Sequence, residues 1–179
     1  MPHVIEPAAS SRAKCRGCGQ PIEKGTLRFG EREPNAFGDG EMTLWFHLTC
    51  AAYKRPEPLL ETLDAAPPEE APHLERIARE GIEHRRLPRL AGAERSPTSR
   101  ARCRNCREPI ERGEWRLPLV FFEEFRFEPA GFIHAGCAKA YFGTVDLLER
   151  IAHFSPDLTL TDRRDIERAL RTPRRPTDG

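Results

Sequence analysis

Alternating apolar and polar residues predict three β-strands in this chain. The first has the sequence TLRFGE from Thr26, the second EMTLWF from Glu41 and the third EWRLPLVFF from Glu114. Successive side chains of a strand point to opposite faces of a sheet, so we expect Arg28 and Arg116 to point toward solvent or a ligand. The side chains expected to face the core are Leu27, Phe29, Trp115, Leu117, Leu119 and Phe121.

Apolar residues three and four apart predict helices in the segments between these strands. A helix at residues 71–86 would bury one apolar stripe. Further helices are predicted at residues 145–154 and from an N-cap at Thr161 to about Arg171. The apolar stripe of the helix at 71–86 consists of Leu74, Ile77, Ala78 and Ile82.

The opening of the chain is repeated further along. SRAKCRGCGQPIEKGTLRFG from Ser11 and SRARCRNCREPIERGEWRLP from Ser99 agree at eleven of twenty positions. A repeat of this kind predicts two similar units side by side, and Pro-rich breaks lie between the predicted helices. The predicted divisions are a first domain at 1–92, a linker at 93–98, a second domain at 99–172 and a disordered tail at 173–179.

The composition and the apolar segments of the chain indicate in which compartment of the cell the protein is found. The chain lacks a basic start followed by a long apolar run, and it lacks an apolar stretch of about 18 residues. We therefore expect a cytoplasmic protein, associated with the nucleoid if it is bacterial, and the arginine-rich, lysine-poor composition favours a bacterial origin. In a reducing compartment, the six cysteines are better explained as metal ligands than as disulfides.

The overall charge of the chain does not by itself indicate a nucleic-acid-binding protein. The formal net charge is +1, so any nucleic-acid surface must come from a local arrangement of basic residues. Of the 29 basic residues, 25 are arginine, whose planar guanidinium suits bidentate contacts to phosphate. A GC-rich genome would also favour arginine, so both explanations stay open.

Both repeats carry the same pattern of potential metal ligands. Cys-x2-Cys is followed by His-x2-Cys, with 28 residues between the pairs in the first repeat and 27 in the second, and all six cysteines are used. Three cysteines and one histidine complete a tetrahedral zinc shell, which is typical of a structural site. A helix should begin at each His-x2-Cys, since residues three apart share a helix face. The predicted zinc ligands are Cys15, Cys18, His47 and Cys50 in one site and Cys103, Cys106, His134 and Cys137 in the other.

Two zinc ions also fit the small size of the units. A domain of about 80 to 90 residues gains little stability from its core alone, so a metal staple is expected. The predicted fold class is α+β, with two small zinc-stapled domains that each contain a short antiparallel sheet plus helices. A thioredoxin-like redox pair is the other use of Cys-x2-Cys, but it belongs in a βαβ unit, and the sequence predicts none.

The motifs around these ligands resemble the zinc fingers of poly(ADP-ribose) polymerases, which a eukaryotic DNA ligase also carries. The shared features are the long gap between ligand pairs, the SRAKC and SRARC leads, the PIEKG and PIERG turns and the WFHLTC segment. The segment HFSPDLTLTDRRDIERAL is similar to the closing helix of the family. The resemblance implies fingers that recognise DNA breaks by structure, with arginines on the backbone and apolar loop residues stacked on exposed base pairs.

The resemblance implies DNA-binding roles for residues of both repeats. Arginines precede each first cysteine by three residues and recur on each first predicted strand, and apolar residues lie in the loop before each histidine. The implied DNA-binding residues are Arg12, Arg28, Phe37 and Met42 in the first repeat and Arg100, Arg116 and Phe125, followed by Phe127, in the second.

Other roles for these residues stay open. The aromatic residues could belong to the core, where most aromatic side chains of small folds lie, and the arginines could be solvated charges. The loop that contains Phe125 also carries Glu123, Glu124 and Glu128. These carboxylates would repel phosphate if they faced it.

The function predicted from these observations is structure-specific, sequence-independent binding to DNA strand breaks, either nicks or gaps. The expected partners are broken DNA and repair enzymes, without a membrane or a small-molecule substrate. We expect no catalytic activity, because the sequence contains neither a Gly-rich phosphate loop nor a recognisable nucleophile and base. A zinc-scaffolded protein-interaction adaptor and a general single-stranded nucleic-acid binder are the alternatives.

Overall fold

A computed structural model describes residues 2–65 and 69–175 of the chain. Its contacts divide the chain into two compact units, the first formed by Met1–Pro88 with Glu124–Phe127 and the second by Arg89–Glu123 with Glu128–Gly179. Each unit contains a three-stranded sheet and one cluster of three cysteines and a histidine. The predicted α+β fold class is therefore confirmed.

The first sheet consists of β1 (Val4–Pro7), β2 (Leu27–Pro34) and β3 (Glu41–His47) in the order β1-β2-β3, with antiparallel pairing. The strands β2 and β3 confirm the predictions from alternation. Phe29 and Phe46 are paired across these strands, fully buried, with ring centroids 6.2 Å apart. Strand β1 was not predicted, because four residues are too few to show a period.

Three α-helices follow among the described residues of the first unit. They are α1 (Leu48–Lys54), α2 (Pro56–Thr62) and α3 (Ala71–Glu83). As predicted, α3 buries Leu74, Ile77 and Ala78, but the prediction that Ile82 also faces the core is wrong, because its side chain is 39% exposed. Gly81 takes the buried position, where a Cβ atom would lie 3.4 Å from the Pro56 ring.

The second sheet consists of β4 (Glu94–Arg95), β5 (Trp115–Glu123) and β6 (Arg126–His134) in the order β4-β5-β6. Strand β4 lies inside residues 93–98, the segment predicted as a linker, and pairs with the start of β5. Leu117 and Leu119 face the core as predicted. Pro118 has no amide to donate to a neighbouring strand, and β5 tolerates it in the middle of the sheet because the two-residue β4 does not extend to the position opposite it.

The helical part of the second unit starts directly after β6. A 3-10 turn at Ala135–Cys137 leads into α4 (Ala138–Phe142), followed by α5 (Leu148–Phe154) and α6 (Leu160–Leu170). The N-cap of α6 is Thr159 and not Thr161 as predicted. Thr159 and Asp162 form a reciprocal capping box with two 3.0 Å hydrogen bonds.

The described residues after α6 make specific contacts with the rest of the second unit. The Arg174 amide donates to the Gly136 carbonyl at 3.2 Å, and the Arg174 guanidinium donates to Glu114 at 3.0 Å. Tail residues 176–179, predicted to be disordered, lie outside the described residues. Among the described residues, no helix has the length and apolar character needed to cross a membrane.

Candidate metal centres and nucleic-acid interface

The first metal centre joins a turn before β2 to the junction of β3 and α1. Cys15 and Cys18 lie on the turn, which is closed by hydrogen bonds from the Cys15 amide to Gln20 and from the Gly19 amide to Cys15. His47 ends β3, and Cys50 lies in the first turn of α1. The four ligand atoms lie within 4.8 Å of one another.

The second centre repeats this arrangement. Cys103 and Cys106 lie on a turn with the same hydrogen bonds, His134 ends β6, and Cys137 follows in the 3-10 turn. The sulfur of Cys106 lies 3.4 Å from His134 Nδ1, the same distance as between Cys18 and its histidine in the first centre.

The geometry fits zinc in both centres. The distances from Nδ1 to the second and third cysteine sulfurs are 3.4 and 3.9 Å in each centre. A tetrahedron with Zn–S of about 2.3 Å and Zn–N of about 2.05 Å has a sulfur–nitrogen edge of about 3.6 Å. Backbone amides of Gly17 and His47 point at the Cys15 sulfur at 3.3 Å, as expected around a thiolate. The protein therefore holds two structural zinc ions as predicted.

The crowded thiols of each centre share protons through hydrogen bonds, which lower the pKa of some cysteines and raise that of others. A hydrogen bond from Cys137 lowers the pKa of Cys103 to about 4, and the same contact raises the pKa of Cys137. In the first centre, hydrogen bonds from Cys15 and Cys50 lower the pKa of Cys18, whereas the pKa of Cys50 is raised. Zinc replaces these shared protons, so metal binding is coupled to proton release and to folding.

The turn that carries the first two cysteines of each finger requires one residue in the left-handed backbone conformation. Gly19 supplies it in the first finger with φ of 76°, and Arg107 supplies it at the equivalent position of the second with φ of 69°. Glycine adopts this region freely, but a residue with a side chain is strained there by about 1–2 kcal/mol. The second finger therefore folds its turn against a local backbone cost.

Arg28 is a buried residue and does not point toward solvent as predicted. Its side chain is 10% exposed, its guanidinium donates to Glu6 on β1 at 2.9 Å, and its Cζ lies 3.5 Å from the ring centroid of Trp45. The alternation rule identified the correct face of β2, but Trp45 and β1 cover that face.

The second finger repeats this arrangement at Arg116. The guanidinium pairs with Glu94 on β4 at 2.8 Å and stacks over Phe132 at 3.6 Å. Its side chain is also 10% exposed, so the prediction that it points toward solvent is wrong as well. Sequence reasoning missed the two acidic partners, although Glu6 and Glu94 are 88 residues apart, the same offset as the two arginines.

Arg12 and Arg100 are exposed in the structure. Each follows a serine whose hydroxyl oxygen accepts a hydrogen bond from a backbone amide of the same finger. The distance is 2.9 Å for Ser11 and 3.0 Å for Ser99. The backbone beside each arginine is therefore fixed, and its side chain projects into solvent. Their role as phosphate ligands stays a prediction.

The apolar loop residues differ between the two fingers. Phe37, in the turn between β2 and β3, is 97% exposed, and its amide donates to Asn35 at 3.0 Å. Met42, on β3, is half-buried.

In the second finger, Phe125 is half-buried on a tight turn with Glu124, both with positive φ. Phe125 and Phe127 both lie in the segment that is grouped with the first unit, and the Phe127 ring lies 6.4 Å from that of Phe46. Phe37 is thus the most exposed of these aromatic candidates, and stacking on DNA stays a prediction for each.

Residues 6–84 match the family model described as the poly(ADP-ribose) polymerase and DNA-ligase Zn-finger region. A poly [ADP-ribose] polymerase of Sarcophaga peregrina is 27% identical over 196 residues, covering 95% of this chain and 20% of that protein. The corresponding enzyme of Drosophila melanogaster is 31% identical over 139 residues, covering 69% of this chain and 14% of that protein.

A polynucleotide 3'-phosphatase, ZDP, of Arabidopsis thaliana is 25% identical over 185 residues, covering 87% of this chain and 26% of that protein. The chain therefore spans about a quarter or less of the length of these three relatives. The similarity to this zinc-finger region, together with the two closed metal centres, supports a role as a DNA-binding zinc-finger protein.

Proposed function

We propose that this protein recognises DNA strand breaks by structure, since residues 6–84 match the zinc-finger family model of poly(ADP-ribose) polymerase and DNA ligase. The observation that carries the proposal is the 97% exposure of Phe37 on the turn between two strands of this finger. A ring this exposed has its faces available for stacking on a flat apolar partner. The face of a base pair at a break is such a partner.

The exposed arginines support the same function through charge. Arg12 and Arg100 lie at equivalent places of the two fingers, next to backbone that is fixed by hydrogen bonds. Arginine contacts to phosphate supply affinity that is independent of base sequence and falls steeply with salt. Because the two modules are linked, the second contact is intramolecular, and weak modules can bind tightly together.

A break lowers the energetic cost of exposing a base-pair face. Bending an intact site sharply can cost several kcal/mol, and a nick removes one of the two backbones that resist the bend. Stacking of an aromatic side chain on a base contributes about 1–3 kcal/mol. This difference between intact and broken DNA is large enough to give a 10-fold or greater preference.

The protein in this proposal has no catalytic activity of its own. Its two closed zinc shells leave no coordination position for a substrate, so the ions stabilise the fold. It would act in the cytoplasm by marking breaks for repair enzymes, which carry out the chemistry.

The test compares binding of the zinc-loaded chain to a nicked duplex and to the same intact duplex. Fluorescence anisotropy at two salt concentrations should show tighter binding to the nicked duplex, and Arg12→Ala with Arg100→Ala should weaken binding to both. Arg79→Ala is the matched charge control, since Arg79 lies on α3 and pairs with Glu75. Equal affinity for both duplexes would make the chain a general DNA binder, and binding to neither would favour the protein-interaction adaptor.

Phe37→Ala separates stacking from charge. We expect this variant to lose most of the preference for the nicked duplex while keeping its affinity for the intact one and its salt dependence. Phe125→Ala is the matched variant in the second finger, where the ring is half-buried beside three acidic residues. If Phe125→Ala removes the preference and Phe37→Ala does not, the assignment to the first finger is wrong.

A further inference from the structure

The second zinc centre is covered by the C-terminal segment of the chain, which we call the clasp, residues 172–174. Its contacts reach both the loop between His134 and Cys137 and the carboxylate beside His134. The Thr172 hydroxyl donates to the Arg168 carbonyl at 2.8 Å, which anchors the clasp to the end of α6. The clasp therefore lies next to the second metal centre, although its residues come long after Cys137, the last ligand, in the sequence.

The backbone contact of the clasp depends on a glycine. The Arg174 amide donates to the Gly136 carbonyl at 3.2 Å. A Cβ atom on Gly136 would lie 2.7 Å from the Thr172 carbonyl oxygen and 3.3 Å from the Arg174 nitrogen. Only a residue without a side chain permits so close an approach between the clasp and the His-x2-Cys loop.

Glu114 connects the clasp to the histidine ligand. One carboxylate oxygen accepts the Arg174 guanidinium at 3.0 Å, and the other lies 3.7 Å from His134 Nε2. Because Nδ1 faces the cysteines, Nε2 carries the proton, which it donates to the Pro109 carbonyl at 3.0 Å. The ligand ring is thus held by an oxygen acceptor and lies beside a carboxylate that has its own counter-ion.

Electrostatics explains why the arginine is needed. Three thiolates and Zn²⁺ leave the metal centre with one negative charge, so Glu114 alone would repel it. Arg174 neutralises this carboxylate. The acceptor of the His134 ring is the Pro109 carbonyl, and Glu114, 3.7 Å from Nε2, lies beside that hydrogen bond. Groups behind a metal-bound histidine that fix its orientation commonly change metal affinity 10- to 100-fold when they are lost.

The first centre has different residues at the equivalent positions. Thr26 stands at the position of Glu114 and Thr49 at that of Gly136, so these two positions offer neither a carboxylate nor the free space that a glycine leaves. His47 is half-buried, whereas His134 is only 3% exposed. The two centres share their ligands but differ in what surrounds them.

We propose that Glu114, Arg174 and the clasp hold the second zinc ion more tightly than the first, so that the two fingers lose zinc in a fixed order. The first finger would empty at a zinc activity that leaves the second one loaded. Glu114 and Arg174 act as positioning residues, because neither binds the metal. The inference concerns the metal centres alone and stands whether or not the chain prefers broken DNA.

The test measures zinc release from the fully loaded chain into excess of a chromogenic chelator. The expected trace has two phases of equal amplitude, one zinc ion each. Glu114→Gln and Arg174→Ala each break the ion pair that holds the clasp beside the second centre, so both should accelerate the slow phase by up to about 10-fold and leave the fast phase unchanged. Arg175→Ala, the neighbouring exposed arginine, is the charge control and should leave both phases as they are.

Trapping the freed thiols assigns each phase to a finger. After partial release, a maleimide should label Cys15, Cys18 and Cys50 before the cysteines of the second centre, as read by peptide mass spectrometry. The cobalt-loaded chain should show a shifted absorption of one ion in Glu114→Gln, a signature that general destabilisation would not produce. Release of both ions at one rate, or earlier labelling of the second centre, would overturn the proposal.

Discussion

Arg28→Ala distinguishes a structural arginine from a DNA-binding one. The cation–π contact with Trp45 contributes about 1–2 kcal/mol at a desolvated site. The ion pair with Glu6 adds no more than about 1 kcal/mol, because the Glu6 side chain is 42% exposed and screened by solvent. The Arg28 Nε is buried without a hydrogen-bond partner among the described residues. This unsatisfied donor offsets about 1 kcal/mol of the stabilisation that the other contacts provide.

The net expectation is a loss of about 1 kcal/mol from the free energy of unfolding of the first unit. With a urea dependence of about 1–3 kcal/mol per molar, the unfolding midpoint should fall by roughly 0.3–1 M at saturating zinc. Circular dichroism measures the midpoint. Arg12→Ala is the control, since an exposed arginine should change stability by less than about 0.5 kcal/mol.

The two variants should also differ in DNA binding. Arg12→Ala should weaken binding at unchanged stability, whereas Arg28→Ala should weaken it only as far as the first unit unfolds. Equal urea midpoints for the two variants, together with weaker DNA binding by Arg28→Ala, would refute the structural role assigned to Arg28.

Three further variants or treatments test the fold. Gly19→Ala should destabilise the chain by about 1 kcal/mol through backbone strain alone, since a Cβ there meets nothing within 4 Å, and Arg107→Ala at the equivalent position should change little. Thr159→Ala should cost about 1 kcal/mol as a lost cap, and Thr161→Ala should cost nothing. Chelation of both zinc ions should abolish the cooperative unfolding transition and expose apolar surface to a hydrophobic dye; a retained transition would contradict a structural role of the metal.

The metal ligands could be predicted from the sequence because their chemistry fixes their spacing. A closed tetrahedral shell needs four ligands, and the repeat supplies each ligand of one site at the same place in the other. The strands β2, β3 and β5 were also predictable, because apolar and polar residues alternate along each of them in the sequence.

The short strands and the surroundings of the arginines could not be predicted in the same way. Strands β1 and β4 are four and two residues long, so neither shows a period. Alternation states which face of β2 carries Arg28, but it does not state that Trp45 reaches over Gly30 to cover that face, where a Cβ would lie 2.7 Å from the indole. Contacts across a sheet decide whether a charged face is open.

The cap of α6 was predictable but was assigned two residues too late. Thr159 and Thr161 are both good cap residues, and the acidic residue three positions after Thr159 is the feature that distinguishes them.

The pairing of Arg116 with Glu94 determines where the second finger can be cut from the chain. A recombinant fragment that begins at Ser99 retains all four ligands but leaves out Glu94 and Ser96, both of which accept hydrogen bonds from the Arg116 guanidinium. Such a fragment would bury an uncompensated cation beneath Phe132 and expose the open edge of β5. An excised finger intended for crystallisation or domain exchange should therefore begin no later than Arg89, well upstream of its first cysteine.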